Sequence, residues 1–150
     1  LQDIQTVEAM QSMLAEVGVV LKTRVLDGTQ FLNQLEKDDL QLFLTSWSAS
    51  TFDPDQALFR ALHSSTIPGG NASRYRVAAV DALLREARNS TSQVVRTADY
   101  LDVLDTVLTD LPVITLYYPQ YAVAKTAALT GELLGPAWYH LDLRRAVLSD

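Results

Sequence analysis

The sequence contains no cysteine among its 150 residues. This absence excludes disulfide bonds, a thiolate nucleophile, and cysteine-ligated zinc or iron–sulfur sites. Only two histidines are present, His63 and His140, and neither has a partner at a recognised metal-ligand spacing. We therefore predict no metal site and no cofactor. We expect both histidines to lie at the surface or at helix ends rather than in a catalytic centre.

Positive charge is also scarce. The chain has 12 Lys and Arg residues against 18 Asp and Glu, which gives a net charge of −6. The basic residues are scattered, apart from the pair Arg144 and Arg145, so no basic stripe follows a phosphate backbone and we predict no nucleic-acid partner. No apolar run approaches membrane-spanning length, and the opening residues LQDIQTVEAM lack the pattern of a signal peptide.

Motifs for catalysis are missing as well. Asp53 and Asp55 flank Pro54, which could be a carboxylate pair for acid–base chemistry. The same pattern is more typical of a helix start, with Asp53 as the N-cap, proline in the first position and an acid in the first turn. Gly69–Gly70 lacks the rest of a phosphate-binding motif, and no serine stands in a G-x-S-x-G elbow. We predict that the protein is not an enzyme, and an enzyme that uses the two aspartates is the least favoured alternative.

Apolar residues recur at helical spacing in several segments. The first segment, residues 1–17, has no N-cap residue before it, so we expect the sequence to begin inside a longer protein. Gly18 ends this helix. The other predicted helices cover 29–39 with a cap at Asp27 or Thr29, 54–62, about 80–87, and 94–111, which Pro112 stops.

Three apolar segments predict β-strands: VVLKTRVLD at 19–27, LQLFLTSW at 40–47 and VITLYY at 113–118. Helices and strands alternate along the first part of the chain. This order predicts an α/β fold with a mixed, mostly parallel sheet flanked by helices.

A long polar segment, residues 46–75, begins where the second predicted strand ends. Ligand sites in parallel α/β sheets lie outside the carboxyl ends of strands, so we expect the ligand here. Trp47 offers an aromatic wall, while the loop ends with hydrogen-bond donors. The alternative is that Trp47 and Tyr75 only pack the loop on the core. The predicted ligand-binding residues are Trp47, Ser48, Ala49, Ser50, Asn71, Arg74 and Tyr75.

The order of several motifs resembles a known family. They are VEAMQSMLAEVGVVL, FLNQLEKDDLQLFLTSWSASTFDPD, LHSSTIPGGNASRY, VDALLREAR, LPVITLYYPQYAVA, and a closing G and LDLRR. Together they resemble the C-terminal part of the family 5 extracellular solute-binding proteins, the dipeptide, oligopeptide and nickel receptors of bacterial ABC importers. The resemblance implies a lobe of the type II periplasmic-binding-protein fold. It also implies an exported receptor, periplasmic or extracellular and often anchored as a lipoprotein, whose two lobes close on the ligand.

The resemblance further implies how the chain is organised. Residues 1–130 would be the C-terminal ligand-binding lobe, incomplete at its N-terminus, and 131–150 a tail that returns to the other lobe. The implied partners are a small-molecule or peptide ligand and the membrane permease of an importer. An exposed tail would favour a homodimer of the fragment. The alternative function is a sensory or regulatory interaction domain that reuses the same lobe.

One position departs from the pattern of the family. Members that bind peptides place an aspartate three residues after this tryptophan, where it pairs with the free amino group of the peptide. The residue here is Ser50. A neutral hydroxyl binds an ammonium group less tightly than a carboxylate does. SWSAST is similar to members for glutathione or other unusual cargo, and we therefore expect a peptide or a related small solute such as glutathione.

Overall fold

The computed structural model describes residues 2–38, 40–118, 123–131 and 143–148. The chain divides into two compact units, Leu1–Val113 and Ile114–Asp150. The described part of the first unit contains five α-helices and one 3-10 turn, Ser64–Thr66. The helices are α1 (Gln2–Glu16), α2 (Gly28–Lys37), α3 (Pro54–Leu62), α4 (Ala78–Asn89) and α5 (Gln93–Asp110).

The helix starts follow the capping residues that the sequence offers. The Asp27 side chain accepts a hydrogen bond from the Gln30 N–H (2.8 Å) at the start of α2. At the start of α3, Asp53 accepts from the Asp55 N–H (2.8 Å), and proline occupies the first turn. The predicted caps at Asp27 and Asp53 are therefore confirmed. Each carboxylate satisfies a backbone N–H that has no partner inside the helix.

The core lies where α3, α4 and α5 meet. The face of α4 that the sequence predicted is buried, with Val80, Leu84 and Ala87 fully enclosed. Helix α5 is also confirmed, and its buried apolar residues are Tyr100 and Val103. It carries a second apolar stripe that is exposed, formed by Val94, Leu101, Leu104 and Leu108, and its C-cap residue Leu111 is exposed as well.

The predicted mostly parallel sheet is not found among the described residues. In the described part of the chain, residues 19–27, 40–47 and 113–118 contain no strand. The sheet found there is a two-stranded antiparallel one, between β1 (Leu129–Thr130) and β2 (Val147–Leu148), with Leu129 opposite Leu148. A strand exists only when its backbone groups pair with those of a neighbour.

Most of the apolar side chains in these three segments are exposed, as expected where no neighbouring strand is present. Val20 is 82% exposed and Ile114 is 69% exposed, whereas strands of a parallel sheet are buried on both faces. Alternating apolar residues favour a strand but do not supply its neighbour. The sequence pattern was therefore insufficient to predict the sheet.

Several predictions concern the end of the chain. Most of the tail at 131–150, including His140, lies outside the described residues, so its return to another lobe and the homodimer stay predictions. Leu143, which is described, is 61% exposed. Among the described residues, no helix combines the length and the apolar character needed to cross a membrane. No cluster of three or more His, Asp or Glu side chains suited to a metal occurs in the same residues.

Candidate functional site

The 46–75 segment contains α3, and we call the residues before this helix, 46–51, the first side of the segment. The Trp47 side chain is 42% exposed, and the guanidinium carbon of Arg60 lies 5.2 Å from the centre of the indole ring. Ser48 is exposed and Ala49 is half-buried. An arginine over an indole face is attracted by the negative charge of the ring face. Trp47 is therefore held against a cation and is still open to solvent.

Ser50 and Thr51 are held by one side chain of α3. Thr51 donates from its backbone N–H (2.9 Å) and its hydroxyl (2.8 Å) to Gln56 Oε1. Gln56 Nε2 donates to Ser50 Oγ (3.0 Å). The four groups are all near the surface. This amide fixes the turn that leads from Trp47 into α3.

An open cleft lies next to this turn. Its volume is about 540 Å³, and polar side chains from α3, α4 and α5 surround it. The lining residues are Thr51, Asp53, Asp55, Gln56, Arg60, Arg88 and Arg96.

Two ion pairs form one wall of the cleft. We call this pair of ion pairs, Arg96–Asp53 and Arg88–Asp55, the clasp. Arg96 Nη2 donates to both carboxylate oxygens of Asp53 (2.7 and 2.8 Å), and Arg96 Nη1 donates to the Ala87 carbonyl (2.8 Å). Arg88 donates through two nitrogens to Asp55 (2.8 and 2.9 Å). The hydrogen bonds that Arg88 donates to Asp55 raise the pKa of Arg88. The clasp ties the first turn of α3 to the end of α4 and the start of α5.

The clasp also bears on the enzyme alternative. Both carboxylates accept bidentate hydrogen bonds from arginine, and Asp53 is also an N-cap. A carboxylate in such a pair is already engaged as an acceptor. The pairing favours a structural role for both aspartates over the acid–base alternative.

Residues 71–75, which we call the second side of the 46–75 segment, are held by a different set of contacts. Asn71 is fully buried. Its Nδ2 donates to the carbonyl groups of Leu62 (2.9 Å), His63 (3.3 Å) and Tyr75 (2.8 Å). Its Oδ1 accepts from the Tyr75 N–H (3.0 Å) and the Ser73 hydroxyl (3.0 Å). These five contacts use both ends of the amide to close the loop.

Arg74 joins the loop to α2. Its Nη2 donates to the carbonyl groups of Leu35 (2.9 Å) and Glu36 (3.0 Å), and its Nε lies 2.7 Å from a carboxylate oxygen of Asp38. The last carbonyls of a helix have no partner inside the helix. Arg74 donates to two of them, of which the Leu35 carbonyl also accepts from the Asp38 N–H (3.3 Å). It also adds positive charge where the helix dipole favours it.

Tyr75 joins the same loop to α5. Its hydroxyl donates to a carboxylate oxygen of Asp110, in the last turn of that helix. Burial, together with this hydrogen bond to a carboxylate, raises the pKa of Tyr75 to about 12. The phenol is therefore a neutral donor at any ordinary pH.

The predicted site residues thus fall into two groups. Trp47 and Ser50 contact Arg60 and Gln56, which line the cleft, and Ser48 and Ala49 lie between them in sequence. Among the described residues, the cleft lining does not include Asn71, Arg74 or Tyr75. Those three side chains fasten the loop.

Sequence reasoning missed four cleft residues, Gln56, Arg60, Arg88 and Arg96. A signal existed for the first two, because positions 53, 56 and 60 recur at helical spacing and so share one face of α3. No comparable signal existed for Arg88 and Arg96. Their pairing with aspartates more than thirty residues earlier depends on how the helices pack.

His63 is the C-cap of α3 and is not among the residues that line the cleft. It is 5% exposed, and its Nδ1 accepts from the Ser65 N–H (3.0 Å) at the start of the 3-10 turn. The predicted helix-end role of His63 is therefore confirmed. Burial alone would raise the pKa of nearby Asp81, but hydrogen bonds from the hydroxyl and N–H of Ser64 outweigh it and lower that pKa. The cluster anchors α3 to α4.

The chain is similar to known solute-binding proteins. Residues 2–69 match the family model described as bacterial extracellular solute-binding proteins, family 5 Middle. The oligopeptide-binding protein AppA of Bacillus subtilis is 29% identical over 133 residues, which are 87% of this chain and 24% of AppA. The probable D,D-dipeptide-binding periplasmic protein DdpA of Escherichia coli is 29% identical over 130 residues, 85% of this chain and 25% of DdpA.

A third relative is the glutathione-binding protein GsiB of Pectobacterium atrosepticum. It is 30% identical over 133 residues, which are 84% of this chain and 26% of GsiB. No solved structure matches the chain. The chain spans about a quarter of the length of these curated relatives. The resemblance stated from the sequence is confirmed: the chain is similar to the family 5 bacterial extracellular solute-binding proteins.

Proposed function

We propose that the chain forms part of a solute-binding protein for a peptide, or for a related small solute such as glutathione. The observation that carries this proposal is the open cleft of about 540 Å³ beside the exposed indole of Trp47. Ligand sites of this kind combine an aromatic surface with a few fixed polar groups. The names of the relatives supply the solute classes, oligopeptide, D,D-dipeptide and glutathione.

The proposed contacts come from the first side of the 46–75 segment. Trp47 would cover an apolar part of the solute, and the hydroxyl and backbone groups of residues 48–50 would bind its polar atoms. The cleft side chains Gln56 and Arg60 extend the same surface. Asn71, Arg74 and Tyr75 would act indirectly, because they hold the far end of the loop.

The family relation extends the proposal to the whole protein. We propose a periplasmic or extracellular receptor that delivers its solute to the permease of an ABC importer, with a lipoprotein anchor. We also propose that the lobe has the type II periplasmic-binding-protein fold, in which the segments 19–27, 40–47 and 113–118 would gain strand partners. The regulatory alternative has no support among the named relatives, and the enzyme alternative conflicts with the paired state of Asp53 and Asp55.

Calorimetry on the full-length protein tests this function. The titrants are glutathione, trialanine, a disaccharide and a nickel chelate. We expect binding of glutathione or trialanine with a dissociation constant of about 10 μM or tighter, and none of the disaccharide or the chelate. Binding of the disaccharide or the nickel chelate alone, or of no titrant at all, would contradict the proposal.

A further inference from the structure

We propose that Arg60 is a specificity-determining residue that binds a carboxylate group of the solute. This inference rests on the proposed function, because it names the class of solute for the same cleft. The class is a solute with a free carboxylate on the end that lies against α3. The protein would then recognise the carboxylate end of the solute through Arg60, in place of recognising its ammonium end through an aspartate at position 50.

The charges that line the cleft do not balance. Three guanidinium groups face two carboxylates among its lining residues. Arg88 and Arg96 each hold an aspartate in a bidentate pair. Arg60 has no carboxylate partner among the described residues, and its side chain is exposed. The cleft therefore presents one unpaired positive charge, in a chain whose net charge is −6.

Contacts within the protein hold Arg60 in place before any solute binds. Thr66 Oγ1 donates to the Arg60 carbonyl (2.9 Å). Gly70 packs so closely that a Cβ there would lie 2.5 Å from the Arg60 carbonyl oxygen and 3.0 Å from Arg60 Cγ. Trp47 supports the guanidinium at the other end, 5.2 Å from its ring centre. The backbone, the stem and the head of this side chain are all constrained, which lowers the entropy lost on binding.

A guanidinium group and a carboxylate group are well matched as hydrogen-bonding partners. A guanidinium that lies over an aromatic ring keeps its N–H groups in its own plane, free to donate. A carboxylate accepts two such donors side by side, which gives a strong and directional interaction. Ser50 and Thr51, near the same cleft, are neutral hydroxyls and offer no charge to an ammonium group. The exposed charge available to a solute here is positive.

The test uses the full-length protein and compares free acids with neutral analogues, in which every carboxyl group is converted to an uncharged amide or ester. The probes are trialanine and its C-terminal amide, and glutathione and its diethyl ester. We expect the wild type to prefer the free acid about tenfold or more. In Arg60→Gln, affinity for the free acid should fall at least tenfold, affinity for the neutral analogue should change little, and the preference should vanish.

Arg24→Gln is the matched control, because Arg24 is exposed and is not among the cleft-lining residues. It should keep the preference of the wild type. Thermal unfolding of Arg60→Gln should match the wild type, which separates lost recognition from lost folding.

Two failures are distinguishable in this experiment. If the wild type binds the probes without preferring the free acid, or if Arg60→Gln keeps the preference or weakens acid and neutral analogue equally, the carboxylate subsite is wrong and the binding function stands. If the wild type binds none of the four probes, the proposed function fails and the subsite fails with it.

Discussion

The two sides of the 46–75 segment contain similar side chains in different surroundings. Residues 47–51 are mostly exposed and are held by two side chains of α3, Gln56 and Arg60. Residues 71–75 are tied to three carbonyls around Asn71 and to α2 and α5 by Arg74 and Tyr75. The donors of Asn71, Arg74 and Tyr75 are used to hold the loop. On the first side Ser50 and Thr51 are also hydrogen-bonded to Gln56, but Trp47 and Ser48 are exposed. A polar loop residue is most available for recognition when its own fold does not need it.

The largest expected effect comes from the second side. Asn71→Ala removes five hydrogen bonds and leaves buried backbone groups of Leu62 and Tyr75 without partners. Each such group costs about 1–3 kcal/mol, so the free energy of unfolding should fall by about 3 kcal/mol or more. Urea denaturation measures it. Ser48→Ala, on the exposed side, is the control and should stay within about 0.5 kcal/mol. A loss below about 1 kcal/mol for Asn71→Ala would refute its fastening role.

The clasp should show a smaller loss of stability. Arg96 is 16% exposed at its side chain and Asp53 is 47% exposed, so the pair lies between the buried and surface classes. We expect Arg96→Met to lower the free energy of unfolding by about 2 kcal/mol. Arg60→Gln is the control in the same cleft, and it should be close to wild type in the same denaturation experiment. Equal losses in the two variants would show that paired and unpaired arginines do not differ as we infer.

Ser50→Asp sharpens the comparison on the first side. A carboxylate at this position should improve binding of a free α-ammonium group by about tenfold, because the bond becomes charge-assisted. Calorimetry with trialanine and N-acetyl-trialanine in the full-length protein measures this gain, which should be absent for the acetylated peptide. A gain of the same size for both peptides would place Ser50 away from the amino group.

The smallest effect is confined to high pH. The pKa of Tyr75 is raised to about 12 by burial and by its hydrogen bond to Asp110, above its ordinary value of about 10. Its contribution to stability is therefore complete below pH 10 and is lost as the pH rises from 10 to 12. The bond is exposed to solvent, so we expect less than about 1 kcal/mol. The melting temperatures of wild type and Tyr75→Phe should differ below pH 10 and converge by pH 12. A difference that persists unchanged at pH 12 would argue against the bond.

Local signals were enough to predict much of this fold. Asp27 and Asp53 fix the starts of their helices through contacts within three residues, and the buried face of α4 follows from helical spacing. The sheet was not predictable in the same way, since the segment at 19–27 shows strand character but no neighbour in the described chain. A strand depends on distant backbone, whereas a cap depends on the next turn.

The candidate site was predictable in part for a related reason. Trp47 and Ser50 stand out as an aromatic and a hydroxyl at the start of a polar segment, and the structure places them beside the cleft. In the clasp, Arg88 is 33 positions from Asp55 and Arg96 is 43 positions from Asp53 in the sequence. No local sequence pattern therefore indicates these pairs. The burial of Asn71 is equally hidden, because its partners are backbone carbonyls that any residue provides.

Hydrogen–deuterium exchange on the full-length protein tests the central claim most directly. Exchange across residues 46–75 would be followed with and without glutathione or trialanine, whichever binds. We predict that the solute slows exchange at residues 47–51 and around Arg60, while residues 71–75 stay as slow as they already are. Protection that increases at 71–75 and not at 47–51 would contradict the account, because the solute would then rest on the side that we assign to fastening the loop.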